Sequence, residues 1–390
     1  MYVSSPAVGV AHFLGTSTGR GCDGYPGPSA AIGLLSSPEA RSFQFFMEKT
    51  LAGFQTFFKD DLWNTHVPQV ASSADCIRHA VVALASYHEQ HQPESKFGLR
   101  NYNLAIKGLL TESSPHILIL SCLIFICIEI LQGRTQSAIG LFKYGCGIIQ
   151  SRTGQRRTDE LAEAFLRRLG VQISMLVGDV DFELPLLTCR PREFDSLTEA
   201  REALLDIILD QASPGLKGQA PCILAKHAAK LEQWGRSFDA LQNVYDTRAV
   251  ALLQLYRRDL EVNLARYTRG DPFFWDHSVV EFEEIIHHAA VAGGASSFHM
   301  DMGVSPILFS VVARCRNPQV RQKAMAVLAG QAQEGVWNGT LTAKVAGRPI
   351  ELESAGVEAR IRTVRVHLGE RAARIVYGWD NEFTEETMEW

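Results

Sequence analysis

The run from Ile117 to Ile128, ILILSCLIFICI, contains no charged residue, and within the longer stretch His116–Gly133 the one carboxylate is Glu129. A helix that is apolar on every side is buried on every side. The run falls short of the roughly 18 consecutive apolar residues that a membrane span needs. It therefore reads as the central helix of a mostly helical protein. A chain of 390 residues, 46% of them hydrophobic, has ample apolar material to surround it.

The rest of the chain arranges itself around this helix. Residues 1–37 are rich in Gly, Ser, Pro and Ala (GTSTGRGCDGYPGPSAA) and are expected to form a disordered arm. A single helical domain over 38–390 is expected to follow, opened by Ser37 as a cap and Pro38 in the first turn. Phe43, Phe45, Phe46, Phe54, Phe57 and Phe58 come next at roughly helical spacing, as core or as the lining of an aromatic pocket. Helices are predicted over 72–91, capped by Ser72 or Ser73, and over 97–110. The central helix follows and ends at Gly133 as a glycine cap, and further helices are predicted over 136–150 and 159–176. Short connections favour antiparallel neighbours. After a loop-like stretch over 177–192, further helices are predicted over 198–209, 220–241, 245–268, 279–292, 306–314 and 318–328. Gly347-Arg348-Pro349 is expected to interrupt any helix over 341–352. The alternation Ile361, Val364, Val366, Leu368, then Ile375 and Tyr377 beyond Gly369, predicts a β-hairpin at about 361–378. The fold class is all-α: a large multi-helix antiparallel domain with a small C-terminal β-hairpin.

Charge and cysteine usage narrow the chemistry. Lys and Arg total 38 against 43 Asp and Glu, a formal net charge of −5, which lacks the basic footprint of a nucleic-acid-binding domain. The short basic runs Arg152–Arg157 and Arg167–Arg168 read as solvated faces. Eight cysteines are scattered without the two-residue spacing of a zinc site, so reduced thiols are expected. The start, MYVSSPAVGVAHF, has neither the basic leader nor the apolar stretch of a secretory signal, and a nuclear or cytoplasmic location is expected. No nucleophile elbow, phosphate loop, dinucleotide fingerprint or H-E-x-x-H motif occurs. No cofactor, no metal and no membrane association are expected.

Polar candidates for a site are few. Arg78 and His79 share a helix with His88 and Glu89, either tying helices together or facing a pocket. Glu129 in its apolar helix must pair with a cation such as Arg78 or Arg134, or take a raised pKa that suits a general acid. Asp301 precedes a helix and either caps it or points into a pocket. Trp63, Phe125 and Trp337 are candidate walls of an apolar ligand pocket. Glu281, Glu284 and His288 share a helix face that looks metal-like but reads as a solvated surface.

Five segments carry a family resemblance: IRHAVVALASYHE (Ile77–Glu89), YNLAI (Tyr102–Ile106), LIFICIEILQG (Leu123–Gly133), the long segment Phe298–Leu328 and EGVWNG (Glu334–Gly339). In this order they resemble the conserved blocks of the regulatory domain of fungal binuclear zinc-cluster transcription factors, over roughly Ser37 to Tyr377. The resemblance implies fold-level roles for Arg78, His79 and Glu129. The DNA-binding part of such factors needs six cysteines to hold two zinc ions, whereas the arm before the helices has Cys22 alone. The expected function is a transcription-factor-like regulator without its own zinc cluster. It would bind a DNA-binding transcription factor or a hydrophobic small molecule in fungal, including secondary, metabolism, with no direct nucleic-acid contact. The alternative is a scaffold recruited as a cofactor-independent cyclase, isomerase or pericyclase folding a hydrophobic metabolite in an apolar pocket. Arg78, His79, Glu129 and Asp301 are then the catalytic candidates.

Overall fold

The structure, a computed structural model, describes residues 37–90, 95–112, 114–151, 157–177, 194–212, 221–241, 247–269, 274–294, 298–354, 361, 363–368, 372–379 and 382–389. The arm expected over 1–37, Ser37 apart, and nearly all of the loop expected over 177–192 lie outside them.

The first helix, α1 (Ser37–Phe45), begins at the predicted Ser37-Pro38 and runs through a π-helical turn (Phe46–Thr50) into α2 (Leu51–Phe54). A second π-helical turn (Leu62–His66) leads into α3 (Val67–Ser73). Ser72 and Ser73 do not cap the helix that follows. Their hydroxyls donate back to the carbonyls of Gln69 (2.6 Å) and Val70 (3.2 Å), inside α3. Four longer helices come next: α4 (Asp75–Gln90), α5 (Lys96–Leu109), α6 (Pro115–Leu131) and α7 (Thr135–Gln150). Helix α4 packs against α5 and α6, and α6 against α7.

Helix α6 is the centre of this group. Every side chain from Ile119 to Ile130 is buried, Glu129 included. Burying a Leu, Ile or Phe is worth about 1.5–3 kcal/mol each, so this one helix supplies much of the local stability. Gly133, with φ of 69°, ends it. Its N–H donates to the Ile130 carbonyl (3.0 Å) and the next N–H, of Arg134, donates to the Glu129 carbonyl (2.9 Å). This paired arrangement satisfies two terminal carbonyls and brings Arg134 alongside Glu129.

Helix α8 (Arg157–Val177) divides two hydrophobic cores. Its Phe165, Leu166, Leu169 and Ile173 belong to the first core, built from α1–α8, and its Val171 belongs to the second. The second core is formed by α9 (Leu197–Ala212), α10 (Pro221–Asp239), α11 (Thr247–Arg269), the short α12 (Phe274–His277) and α13 (Val279–Ala292). It is completed by helices that follow a short strand, β1 (Phe298–His299): α14 (Ser305–Arg314), α15 (Pro318–Ala329) and, after strands β2 (Gln333–Glu334) and β3 (Trp337–Asn338), α16 (Gly339–Ser354). Asn317 caps α15 by accepting from the N–H groups of Gln319 (3.0 Å) and Val320 (3.2 Å).

Strand β1 pairs in parallel with β2, which turns back onto β3. The turn residue Gly335 has φ of 54°, and a Cβ there would lie 1.8 Å from Gln172 Oε1. Gln172 of α8 donates to the Met300 carbonyl (2.9 Å) and accepts from the Val336 N–H (3.3 Å). The Trp337 indole N–H donates to the Gln172 carbonyl (3.2 Å). One residue of α8 thereby fixes the whole small sheet.

Two expectations about the C-terminus are corrected. Helix α16 runs through Gly347-Arg348-Pro349 without ending. The hydrogen bond that Pro349 forgoes is outweighed by packing: Val345, Ala346 and Pro349 are all buried. The hairpin is present as β4 (Thr363–Leu368) and β5 (Ala372–Trp379), but a third antiparallel strand, β6 (Glu382–Glu389), extends it. Four glutamates make β6 a poor strand by propensity. Tertiary contacts hold it, since Glu386 accepts from the Tyr377 hydroxyl (2.8 Å) and from Arg348 Nε (3.0 Å).

Candidate functional site

Asp301 belongs to a buried charge cluster that joins the two cores. It accepts from Arg201 Nη1 (2.7 Å), and Arg168 Nε lies 3.8 Å away. Glu202 accepts from Arg168 (3.1 Å) and Arg201 (2.9 Å), Asp60 pairs with Arg168 and Asp206 with Arg167. Burial pulls the Arg168 guanidinium toward neutrality, but Asp60, Glu202 and Asp301 outweigh it and hold it charged. Arg201 also lies over the Phe58 ring at 4.6 Å. Arg167 and Arg168, expected on a solvated face, are thus buried. The carboxylates that make this tolerable lie 34 and more residues away in sequence.

The other polar candidates are tied to their neighbours. Arg78 pairs with Asp75 one turn back. His79 Nδ1 sits 3.0 Å from Asn101 Oδ1 and 3.9 Å from Glu39. Glu129 accepts from the Tyr102 hydroxyl (2.8 Å), with Arg134 at 3.8 Å, so its cation is Arg134 rather than Arg78. Burial first, and the Glu129 charge second, push the Tyr102 hydroxyl well above its ordinary pKa and keep it a donor. Phe125 packs on the Tyr102 ring at 4.8 Å. Trp63, 1% exposed, sits edge-on between Phe54 (4.6 Å) and Phe165 (5.4 Å).

Trp337 alone of the seven candidates stands on the wall of a larger cavity. A chamber of about 240 Å³ lies between the end of α6, the end of α8, α14, α16 and the C-terminal sheet. Its walls include Ile130, Met175, Phe309, Trp337, Val345 and Val364. A second space of about 470 Å³ adjoins it and shares Met175, Phe309, Trp337, Val364 and Arg365. Polar groups enter from one side, where Asp259, Arg314 and Arg365 line the second space. Burial pushes the Asp259 carboxyl up, against the pull of Arg314 and the Asn263 amide. Arg78, His79, Glu129, Asp301, Trp63 and Phe125 line neither space.

Glu334 is a buried carboxylate that sequence reasoning did not single out, although it opens the EGVWNG block. It accepts from the N–H groups of Ser305 (2.8 Å) and Val304 (3.2 Å), at the start of α14, and His299 Nε2 lies 3.7 Å away. Its carboxyl presses on Gly303, where a Cβ would lie 2.1 Å from the carboxyl carbon. Burial raises the pKa, but His299, Ser305 and the helix start outweigh it and hold Glu334 below its ordinary value of 4.5. A carboxylate lowered by folding adds stability above its unfolded pKa, and that stability is lost as pH falls through the folded value. Glu334→Gln is expected to cost about 1–3 kcal/mol at pH 7 and to flatten the acid loss below 4.5. Urea midpoints of the two proteins at pH 7, 5 and 4 check this, and equal slopes would contradict it.

Among the described residues no helix is long and apolar enough to cross a membrane, and no group of three or more His, Cys, Asp or Glu is placed to hold a metal ion. Glu284 pairs with Arg258 at 2.7 Å. The cavity residues Met175, Phe309, Val345 and Arg365 gave no sequence signal beyond ordinary apolar or basic positions. Chance periodicity cannot say which apolar residues leave a space.

No curated protein and no solved structure matches the chain. A family model described as "Fungal specific transcription factor domain" matches residues 41–176, from α1 to the end of α8. The blocks at 77–89, 102–106 and 123–133 lie inside this match, and those at 298–328 and 334–339 lie beyond it. Over these residues, about a third of the chain, it is similar to the fungal-specific transcription factor domain.

Proposed function

We propose that the chain is a regulatory protein of the fungal transcription factor type, acting in the nucleus through what it binds. The family match over residues 41–176 carries this reading. Binding is the mode of action because the space behind Trp337 lies between the matched segment, which gives Ile130 and Met175, and the C-terminal part, which gives Phe309, Val345 and Val364. An occupant there would couple the two. In this reading DNA is reached through a partner transcription factor, and the controlled genes belong to fungal, including secondary, metabolism. The cyclase or isomerase alternative is less well supported, because its four polar candidates stand away from the cavity. The test fuses the full chain to a heterologous DNA-binding domain upstream of a reporter in a fungal host. A change in reporter output relative to the DNA-binding domain alone is expected. Unchanged output, with an unchanged transcript profile when the gene is deleted, would overturn the reading.

A further inference from the structure

The apolar chamber and the polar space beside it differ in one instructive way. The chamber is walled by Phe309, Trp337, Val345 and Val364, a surface suited to an uncharged body. The adjoining space is edged by two guanidinium groups and one carboxylate. Asp259 is already served: Asn263 Nδ2 donates to it at 2.9 Å and Arg314 Nη1 lies 3.8 Å away. Arg314 spends the same Nη1 on Asn263 Oδ1 at 3.0 Å. Its guanidinium also lies over the Trp275 ring at 4.8 Å, and its Nε and Nη2 have no acceptor among the described residues. The Arg365 side chain makes no hydrogen bond or ion pair among the described residues, though it lines both spaces. Asp259 and Arg314 offset each other, which leaves Arg365 as surplus positive charge beside free Arg314 donors. Guanidinium donors so placed match a carboxylate in charge and geometry.

We infer that the two spaces form one binding site for a small amphipathic carboxylic acid, its apolar body against Phe309 and Trp337 and its carboxylate between Arg314 and Arg365. This deepens the binding role proposed above and rests on it for its biological meaning. The binding itself is measured without transcription. A failed titration leaves the reporter result standing, and a silent reporter leaves the titration standing.

Three probes with the same tail and different heads isolate the claim: decanoate, decanol and decyltrimethylammonium, each titrated calorimetrically below its micellar concentration into the full chain at pH 7. Decanoate is expected to bind saturably at one per chain and roughly ten-fold tighter than decanol, the gain typical of a charge-assisted hydrogen bond. Arg365→Gln is expected to remove most of that advantage while leaving decanol affinity nearly unchanged. Val345→Trp, which fills the chamber, is expected to weaken decanoate and decanol together. Should Val345→Trp fail to fold, as judged by circular dichroism, Arg365→Gln on the exposed side of β4 still decides the matter. The site assignment is overturned by equal affinity for the three probes, by tighter binding of the cation through Asp259, by a head-group preference that survives Arg365→Gln, or by no binding.

Discussion

Replacing Glu202 with alanine is expected to lower the unfolding free energy by about 3–5 kcal/mol, the range for removing one partner from a buried ion pair. Glu202 is 2% exposed and accepts from both Arg168 and Arg201, with Arg167 at 3.9 Å. Its loss would leave Asp60, Asp206 and Asp301 to serve three buried guanidinium groups. The asymmetry is physical: a charge already stripped of water cannot regain it when its partner is cut away. Glu202→Gln keeps an acceptor and should cost less. Replacing Glu202 and Arg201 together by methionine should recover part of the loss, because an apolar pair carries no desolvation penalty. Urea unfolding followed by circular dichroism checks the series. A loss below about 1 kcal/mol for Glu202→Ala, the value of a surface pair, would show that water screens the cluster.

Trp63→Ala should be comparably damaging, at about 3–5 kcal/mol, the range for deleting a large buried aromatic side chain. Trp63 is enclosed by Phe54 and Phe165, and rings held on two sides by different helices cannot collapse fully into the void. Trp337→Ala makes the informative contrast. Trp337 already faces open space on one side, so its removal enlarges a cavity rather than creating one, and the stability loss should be smaller. The ordering Trp63→Ala above Trp337→Ala in thermal unfolding is the expected outcome. The reverse ordering would mean that Trp337 is the better packed of the two.

What could be read from the sequence follows from how far each determinant reaches. Helix α6 was legible because its apolarity is continuous, and its end because Gly133 supplies a backbone conformation that other residues resist. Helices α13 and α15 are placed to within a residue, and the start of the second is fixed locally by the Asn317 cap. The buried arginines were misjudged for the opposite reason. Nothing near Arg167 and Arg168 in the chain announces Glu202 or Asp301, and an arginine pair without visible partners looks solvated. Strand β6 was missed because its glutamates argue against a strand until Arg348 and Tyr377 are brought to Glu386. In the sequence Arg348 stands out only as part of an expected helix break. Trp337 was among the pocket candidates, but Trp63 and Phe125 looked equivalent to it on paper. Only the three-dimensional arrangement separates a ring in a filled core from a ring beside a space.

The Gln172 clasp has a further consequence for how the chain is made. Gln172 lies near the end of the family-matched segment, and its partners Val336 and Trp337 come 164 and 165 residues later. At a translation rate of about 5–20 residues per second, roughly 8–33 s pass between the emergence of the two sides. During that interval α1–α8 can pack together, and Arg167 and Arg168 find Asp60, Glu202 and Asp206 early, but Gln172 waits without its mates. Nascent chains should therefore be most dependent on chaperones in this window, and a ribosome stalled before residue 335 should hold a chain whose early helices are formed and whose Gln172 still lacks Val336 and Trp337.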